Sequence, residues 1–337
     1  MRVQIEVVVW RGEIAESRHR VHAVAADSQG RNSLEAADLI TTYRSAAKPF
    51  QLLPLVERGH ADRISATDEE IAMMCASHTG APRHVECVRG ILARLGLPES
   101  ALVCGYHDPS DPESLAWLRA HPEQRSPVYN NCSGKHAGML ALALAEGWPT
   151  AGYQLPEHPV QKAVRAAVAE VGGLAPSALQ TAVDGCSVPV FALPLSSMAR
   201  SYARLAMAGA AGDARERALA RIRGAMMSHP RAIGGAGQFA TLIMEALPGR
   251  VVAKVGAEGL ECLGVPERGM GLAVRVEDGA TRAAGPAVVE LLDHLGLLSD
   301  AERVLLEALR APRLRNAAGL DVGRIEASVR VRSSATS

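Results

Sequence analysis

The 337-residue chain balances 36 Lys+Arg against 36 Asp+Glu, with 48% hydrophobic and 21% charged residues. Such a composition can fill a substantial core and lacks the charge excess of a nucleic-acid partner. No stretch of about 18 apolar residues is free of charges or breakers, and MRVQIEVVVW lacks the pattern of a cleaved leader, so a cytoplasmic protein, neither secreted nor membrane-bound, is expected.

From the N-terminus, VQIEVVVW (3–10) and VHAVAA (21–26) read as strands. In YRSAAKPFQ (43–51), Pro49 fits a helix only in its first turn, which starts the helix close to Ser45. Ser45 and Lys48 then share one face at a helix N-terminus, where a neutral lysine could accept the serine proton. That role requires burial or a second cation to lower the lysine from about 10.4. A capping serine beside a solvated lysine explains the same spacing. Next, TDEEIAMMCASHTG opens with a capping box, Thr67 and Glu70, and delivers Ser77 and His78 to a glycine-terminated loop.

HVECVRGILARLG, with Val85, Val88, Ile91, Leu92 and Leu95, has helical spacing, as does PVQKAVRAAVAEVGG with Val160, Val164, Val168 and Val171. Between them, VYNNCSGKHAGMLALALA crowds Asn130, Asn131, Cys132, Ser133, Lys135 and His136 directly before an apolar helix. An elaborate N-cap would account for the asparagines but not for Cys132, Lys135 and His136. In VDGCSVPVFALPL, Asp184, Gly185 and Cys186 form a turn into an apolar stretch. Helices are expected over 196–209, 214–228, 286–296 and 301–310. VVAKVG, LECLGV and GLAVRV, between 251 and 276, read as strands, with Lys254 a lone charge in the first.

Strands and helices do not alternate regularly, which argues against a doubly wound parallel sheet. The expected fold is α/β in the α+β sense: a mainly antiparallel sheet built from both chain ends, with a helical middle. We expect one catalytic domain over 1–337, with strands within 1–30 and 250–280, helices over roughly 31–230 and C-terminal helices at 285–312. The tail RSSATS reads as disordered. Six widely spread cysteines in a chain this long need no disulfide framework; Cys75, Cys87, Cys104 and Cys262 lie in apolar or helical runs and read as core.

RSAAKPFQ, SHTG, NNCSGKHAGM, DGCSVPVFALPL and KVGAEG, in this order, resemble the L-asparaginase II family, the rhizobial-type or class 3 L-asparaginases, and the similarity runs over nearly the whole chain. The resemblance implies a fold similar to serine β-lactamases and glutaminases, a homodimer, and hydrolysis of L-asparagine to L-aspartate and ammonia. It also implies two Ser/Lys pairs, Ser45 with Lys48 and Ser77 with Lys254, with Ser45 expected to attack. One Zn2+ per subunit is expected on Cys132, Lys135 and Cys186, organising the substrate pocket. Asp184 would meet the substrate α-ammonium and Arg44 or His136 its α-carboxylate, on charge complementarity. A β-lactam-type acyl hydrolase would share Ser-x-x-Lys, but the chain has neither a Ser-Asp-Asn nor a Lys-Thr-Gly triplet. A zinc-stabilised binding protein would explain the cysteines but not two Ser/Lys pairs.

Overall fold

A computed structural model describes residues 3–35 and 38–331, except the side chain of Glu35. The tail RSSATS lies outside these residues. Contacts divide the chain into two compact units, each assembled from separated segments: 1–46, 193–206 and 243–337 form the first, 47–192 and 207–242 the second.

Among the described residues, the first unit holds an eight-stranded sheet built from both chain ends. Its order is Arg313–Arg315, Asp321–Val331, Val3–Arg11, Ile14–Asp27, Met270–Val276, Leu260–Val265 and Val252–Val255, with Asn32–Glu35 beside Ile14–Asp27. Neighbouring strands run antiparallel; Ile5, for example, faces Val329 on one side and Val21 on the other. Along Val3–Arg11, Val3, Ile5, Val7 and Val9 are buried at period two while Gln4 is exposed, as a half-buried strand requires. The helix Thr281–His294 packs on this sheet. A second helix, Leu195–Met207, comes so close that a Cβ on Gly271 would sit 1.9 Å from the Ala199 carbonyl oxygen, so only glycine fits there.

The expected strands at 251–276 and the expected helices all form, the latter as Leu195–Met207, Ala214–Ser228, Thr281–His294 and Asp300–Arg310. The strands Arg313–Arg315 and Asp321–Val331 extend the sheet beyond the segments foreseen.

The second unit is mainly helical, with a hairpin of Gln180–Val183 against Pro189–Pro194. At its centre lies Lys48–Glu57, buried along its length from Lys48 to Val56 and packed against Ser133–Ala145, Pro159–Gly172 and Ala214–Ser228. Burying Phe50, Leu52, Leu53 and Leu55 contributes about 1.5–3 kcal/mol each, which offsets the cost of burying the Lys48 amine at the helix start. Gly134 lets Ser133–Ala145 approach Asp68–Met74, because a Cβ there would meet the Met73 carbonyl oxygen at 2.2 Å. Among the described residues, no helix is long and apolar enough to cross a membrane.

Candidate active site

The helix that Pro49 initiates begins at Lys48, after a single 3-10 turn over Arg44–Ala47. Lys48 has no exposed surface. Its amine donates to the Ser77 hydroxyl at 2.9 Å and the Asn131 carbonyl at 3.3 Å, and also to the Ala76 carbonyl. The spacing in sequence points Lys48 at Ser45; this hydrogen bond joins it to Ser77, 29 residues away. Burial pushes Lys48 below the ordinary lysine value; Cys132 opposes the shift and Lys135 adds to it.

Ser77 is held from several sides. Its N–H donates to the Ile233 carbonyl at 2.8 Å, and two residues on Thr79 donates to Gly234 at 3.0 Å. Between them, the His78 N–H donates to the Asn131 carbonyl, while His78 Nε2 lies 2.8 Å from Ser133 Oγ and Nδ1 accepts the Gly80 N–H. The Ser133 hydroxyl donates to the Val128 carbonyl, so His78 Nε2 is the donor to Ser133.

The asparagines do serve the backbone, as an elaborate cap would. Asn130 donates to the carbonyls of Cys104 and Gly105 and accepts from Cys132 N–H, all within 3.0 Å. The helix N-cap itself, Cys132, makes no side-chain cap, which leaves its thiol for other work.

Cys132, Lys135 and Cys186 converge although 54 residues separate the first from the last. The Lys135 amine donates to Cys186 Sγ at 2.9 Å, and the two cysteine side chains hydrogen-bond each other. Both thiols and the amine are buried. Cys132 is pushed down by the Cys186 hydrogen bond against the cost of burial, with Lys48 and Lys135 helping, while Cys186 is pushed up by that hydrogen bond and by burial. Lys135 is pushed up because the two cysteines and Asp184 outweigh its burial. Asp184 caps its own turn, accepting the Gly185 N–H at 2.8 Å. His136 is fully buried and held neutral, its value lowered to about 3 chiefly by burial.

Two thiols and an amine facing one another suit a soft, four-coordinate ion such as zinc, so these donors fit the group the resemblance implies. Lys135 would have to give up its proton to ligate. Among the described residues, no cluster of three or more His, Cys, Asp or Glu side chains could hold a metal, so a site here depends on the lysine.

Lys48, Ser77, Cys132, Lys135, His136, Asp184 and Cys186 belong to the second unit; Arg44, Ser45 and Lys254 belong to the first. Arg44 adopts a left-handed φ of 46°, rare for a side chain of this size, immediately before the half-buried Ser45. Lys254 has no exposed surface; it faces Cys262 across the sheet and donates to the Val255 carbonyl at 3.0 Å. Cys75, Cys104 and Cys262 are buried, as core residues should be, and Cys87 is half-buried. No local pattern points to the carbonyls of Ala76 and Asn131, to Tyr153 beside His136, or to the Ile233–Gly234 support; only the density of polar residues in YNNCSGKH marks the place.

A model of the L-asparaginase II family matches residues 7–327. The chain belongs to that family. The motifs that converge here, from SHTG to DGCSV, all lie within the matched span. No curated protein matches it significantly. Among solved structures, one similar to this asparaginase-family chain is "Crystal Structure Analysis of Mglu in its glutamate form", 16% identical, with a TM-score of 0.45. The likeness covers 82% of this chain and 61% of that one, so the chain spans about 61% of the length of the protein it matches.

Proposed function

We propose that this chain is an L-asparaginase that hydrolyses L-asparagine to L-aspartate and ammonia by Ser/Lys covalent catalysis. The observation that carries this reading is the buried Lys48 amine hydrogen-bonded to Ser77 at 2.9 Å in a member of the L-asparaginase II family. In the first step a neutral Lys48 takes the Ser77 hydroxyl proton as Oγ attacks the side-chain amide carbon. Lys48 returns that proton to the amide nitrogen, the C–N bond breaks, and ammonia leaves an aspartyl ester on Ser77. Water, deprotonated by Lys48, then cleaves the ester and restores the serine. Ser77 thus takes the attacking role expected of Ser45 from sequence, and Ser45 and Lys254 keep, on the family resemblance, a supporting role.

Asp184 takes the substrate α-ammonium, and Arg44 or His136 its α-carboxylate, on charge complementarity. Zn2+, one per subunit, would be held by Cys132, Lys135 and Cys186 and would supply a fixed positive charge that organises the substrate pocket. A single catalytic domain and a cytoplasmic location, on the sequence reading, and a homodimer, on the family resemblance, complete this reading.

Ammonia release from L-asparagine, L-glutamine and a chromogenic β-lactam tests the assignment. The extra methylene of glutamine moves its amide by more than about 1 Å, and misplacement on that scale costs roughly a hundredfold. Asparagine should therefore be preferred by about that factor in kcat/KM, with no β-lactam hydrolysis. Equal values for asparagine and glutamine would overturn the substrate, and β-lactam turnover the reaction class.

A further inference from the structure

His136 stands in the first turn of Ser133–Ala145, next to Lys135, with no exposed surface. Its Nδ1 lies 2.6 Å from the hydroxyl of Tyr153, whose ring meets the imidazole edge-on with centroids 5.6 Å apart. Tyr153 is itself fully buried, and its oxygen already accepts the Val103 N–H at 3.2 Å. The turn carrying it is pinned from the next helix, where the buried Gln161 donates to the Tyr153 carbonyl at 2.8 Å.

The direction of the bond between ring and hydroxyl follows from these contacts. A proton on Nδ1 would aim two N–H donors at the tyrosine oxygen and strand the hydroxyl's own proton in the interior, an expensive arrangement. With the hydroxyl donating to Nδ1, the Tyr153 hydroxyl is satisfied both as donor and as acceptor. The ring proton then sits on Nε2, and that buried atom has no hydrogen-bond partner within the protein. A satisfied tyrosine behind the ring and, in front of it, an N–H that makes no full hydrogen bond leave a donor open to a better acceptor than the Cys186 backbone, which interacts with the ring only weakly.

We propose that Tyr153 is a positioning residue of the asparaginase site: it locks His136 as the Nε2–H tautomer and so presets a neutral donor for an oxygen of the substrate α-carboxylate. This rests on the assignment of His136 to substrate binding above. Such a donor discriminates, because it welcomes a carboxylate oxygen and offers nothing to the α-ammonium.

Two measurements test it. In 15N spectra of histidine-labelled wild-type protein, with His136→Gln used to assign the signal, His136 should show a protonated Nε2 and an unprotonated, accepting Nδ1. A protonated Nδ1 overturns the proposal even if every variant misfolds. In kinetics with asparagine, Tyr153→Phe should raise KM roughly tenfold and lower kcat less than threefold. In a His136→Gln background, where the amide stands in for the Nε2 donor and no ring needs orienting, Tyr153→Phe should change KM less than twofold. Equal effects of Tyr153→Phe in both backgrounds would make Tyr153 a packing residue only. If wild-type protein releases no ammonia from asparagine, the functional assignment falls first and Tyr153 has no reaction to serve; if it does, and the tautomer or the coupling differs, only the role of Tyr153 falls.

Discussion

Glu261 stands on Leu260–Val265, within the sheet of the first unit, and is 3% exposed. Its Oε2 has no hydrogen-bond partner. Burial pushes its carboxyl from 4.5 up to about 8, a shift that nearby Lys254 only partly opposes. In the unfolded chain the same group ionises near its ordinary value, so between these limits the folded state holds a proton that the unfolded state has released. Stability must therefore fall as pH rises through this window. By pH 5.5 the unfolded chain has shed about nine-tenths of this proton and the folded chain almost none, and by pH 8 the folded chain has shed about half; the difference in bound protons over this interval, at about 1.4 kcal/mol per unit, amounts to about 3 kcal/mol. Glu261→Gln keeps the shape and cannot ionise. Urea unfolding of both proteins at pH 5.5 and pH 8 should show the wild type losing about 3 kcal/mol more than the variant over that interval. Comparing slopes cancels any constant cost of burying the amide. Parallel pH dependences would refute the reasoning and mean that Glu261 finds a partner or water in solution.

If zinc organises the pocket, chelation should raise KM for asparagine more than it lowers kcat, and Cys132→Ser, Cys186→Ser and Lys135→Met should behave like the chelated enzyme; loss of kcat at constant KM would make the ion catalytic, and metal-free protein on elemental analysis would remove it. Ser45→Ala should abolish turnover while leaving the melting temperature unchanged, and a variant retaining a tenth of wild-type kcat would strip Ser45 of its role. Gly134→Ala must push helix backbone from the Met73 carbonyl, now 2.2 Å from where the new Cβ would lie, and should cost about 1–3 kcal/mol or more in denaturant unfolding; a change under about 0.5 kcal/mol would mean the two helices part easily.

Legibility in the sequence tracked how local the physics was. Val3–Arg11 and the helix Pro159–Gly172 are written in hydrophobic periods of two and 3.6, and both formed as read. Asp321–Val331 was not recognised because its neighbours in the sheet bury little of it: among its residues Ile325 alone is buried, and charges interrupt the run. At the site, packing adds what local spacing does not carry. Ser45 and Lys48 are three apart, yet the amine at the start of the buried helix donates to Ser77, brought to it by helix packing that spacing cannot report. Cys132, Lys135 and Cys186 were grouped by family resemblance rather than by any local pattern, and their convergence is a tertiary fact. Tyr153 carried no signal, since its importance lies in one hydroxyl facing His136.

The central claim is a covalent intermediate on the serine that Lys48 holds. Acid quenching during turnover of asparagine, followed by proteolysis and mass spectrometry of the peptides containing Ser45 and Ser77, tests it most directly. The account predicts an aspartyl ester on Ser77 and none in Ser77→Ala. An ester on Ser45, or turnover in Ser77→Ala at the wild-type rate, would contradict it.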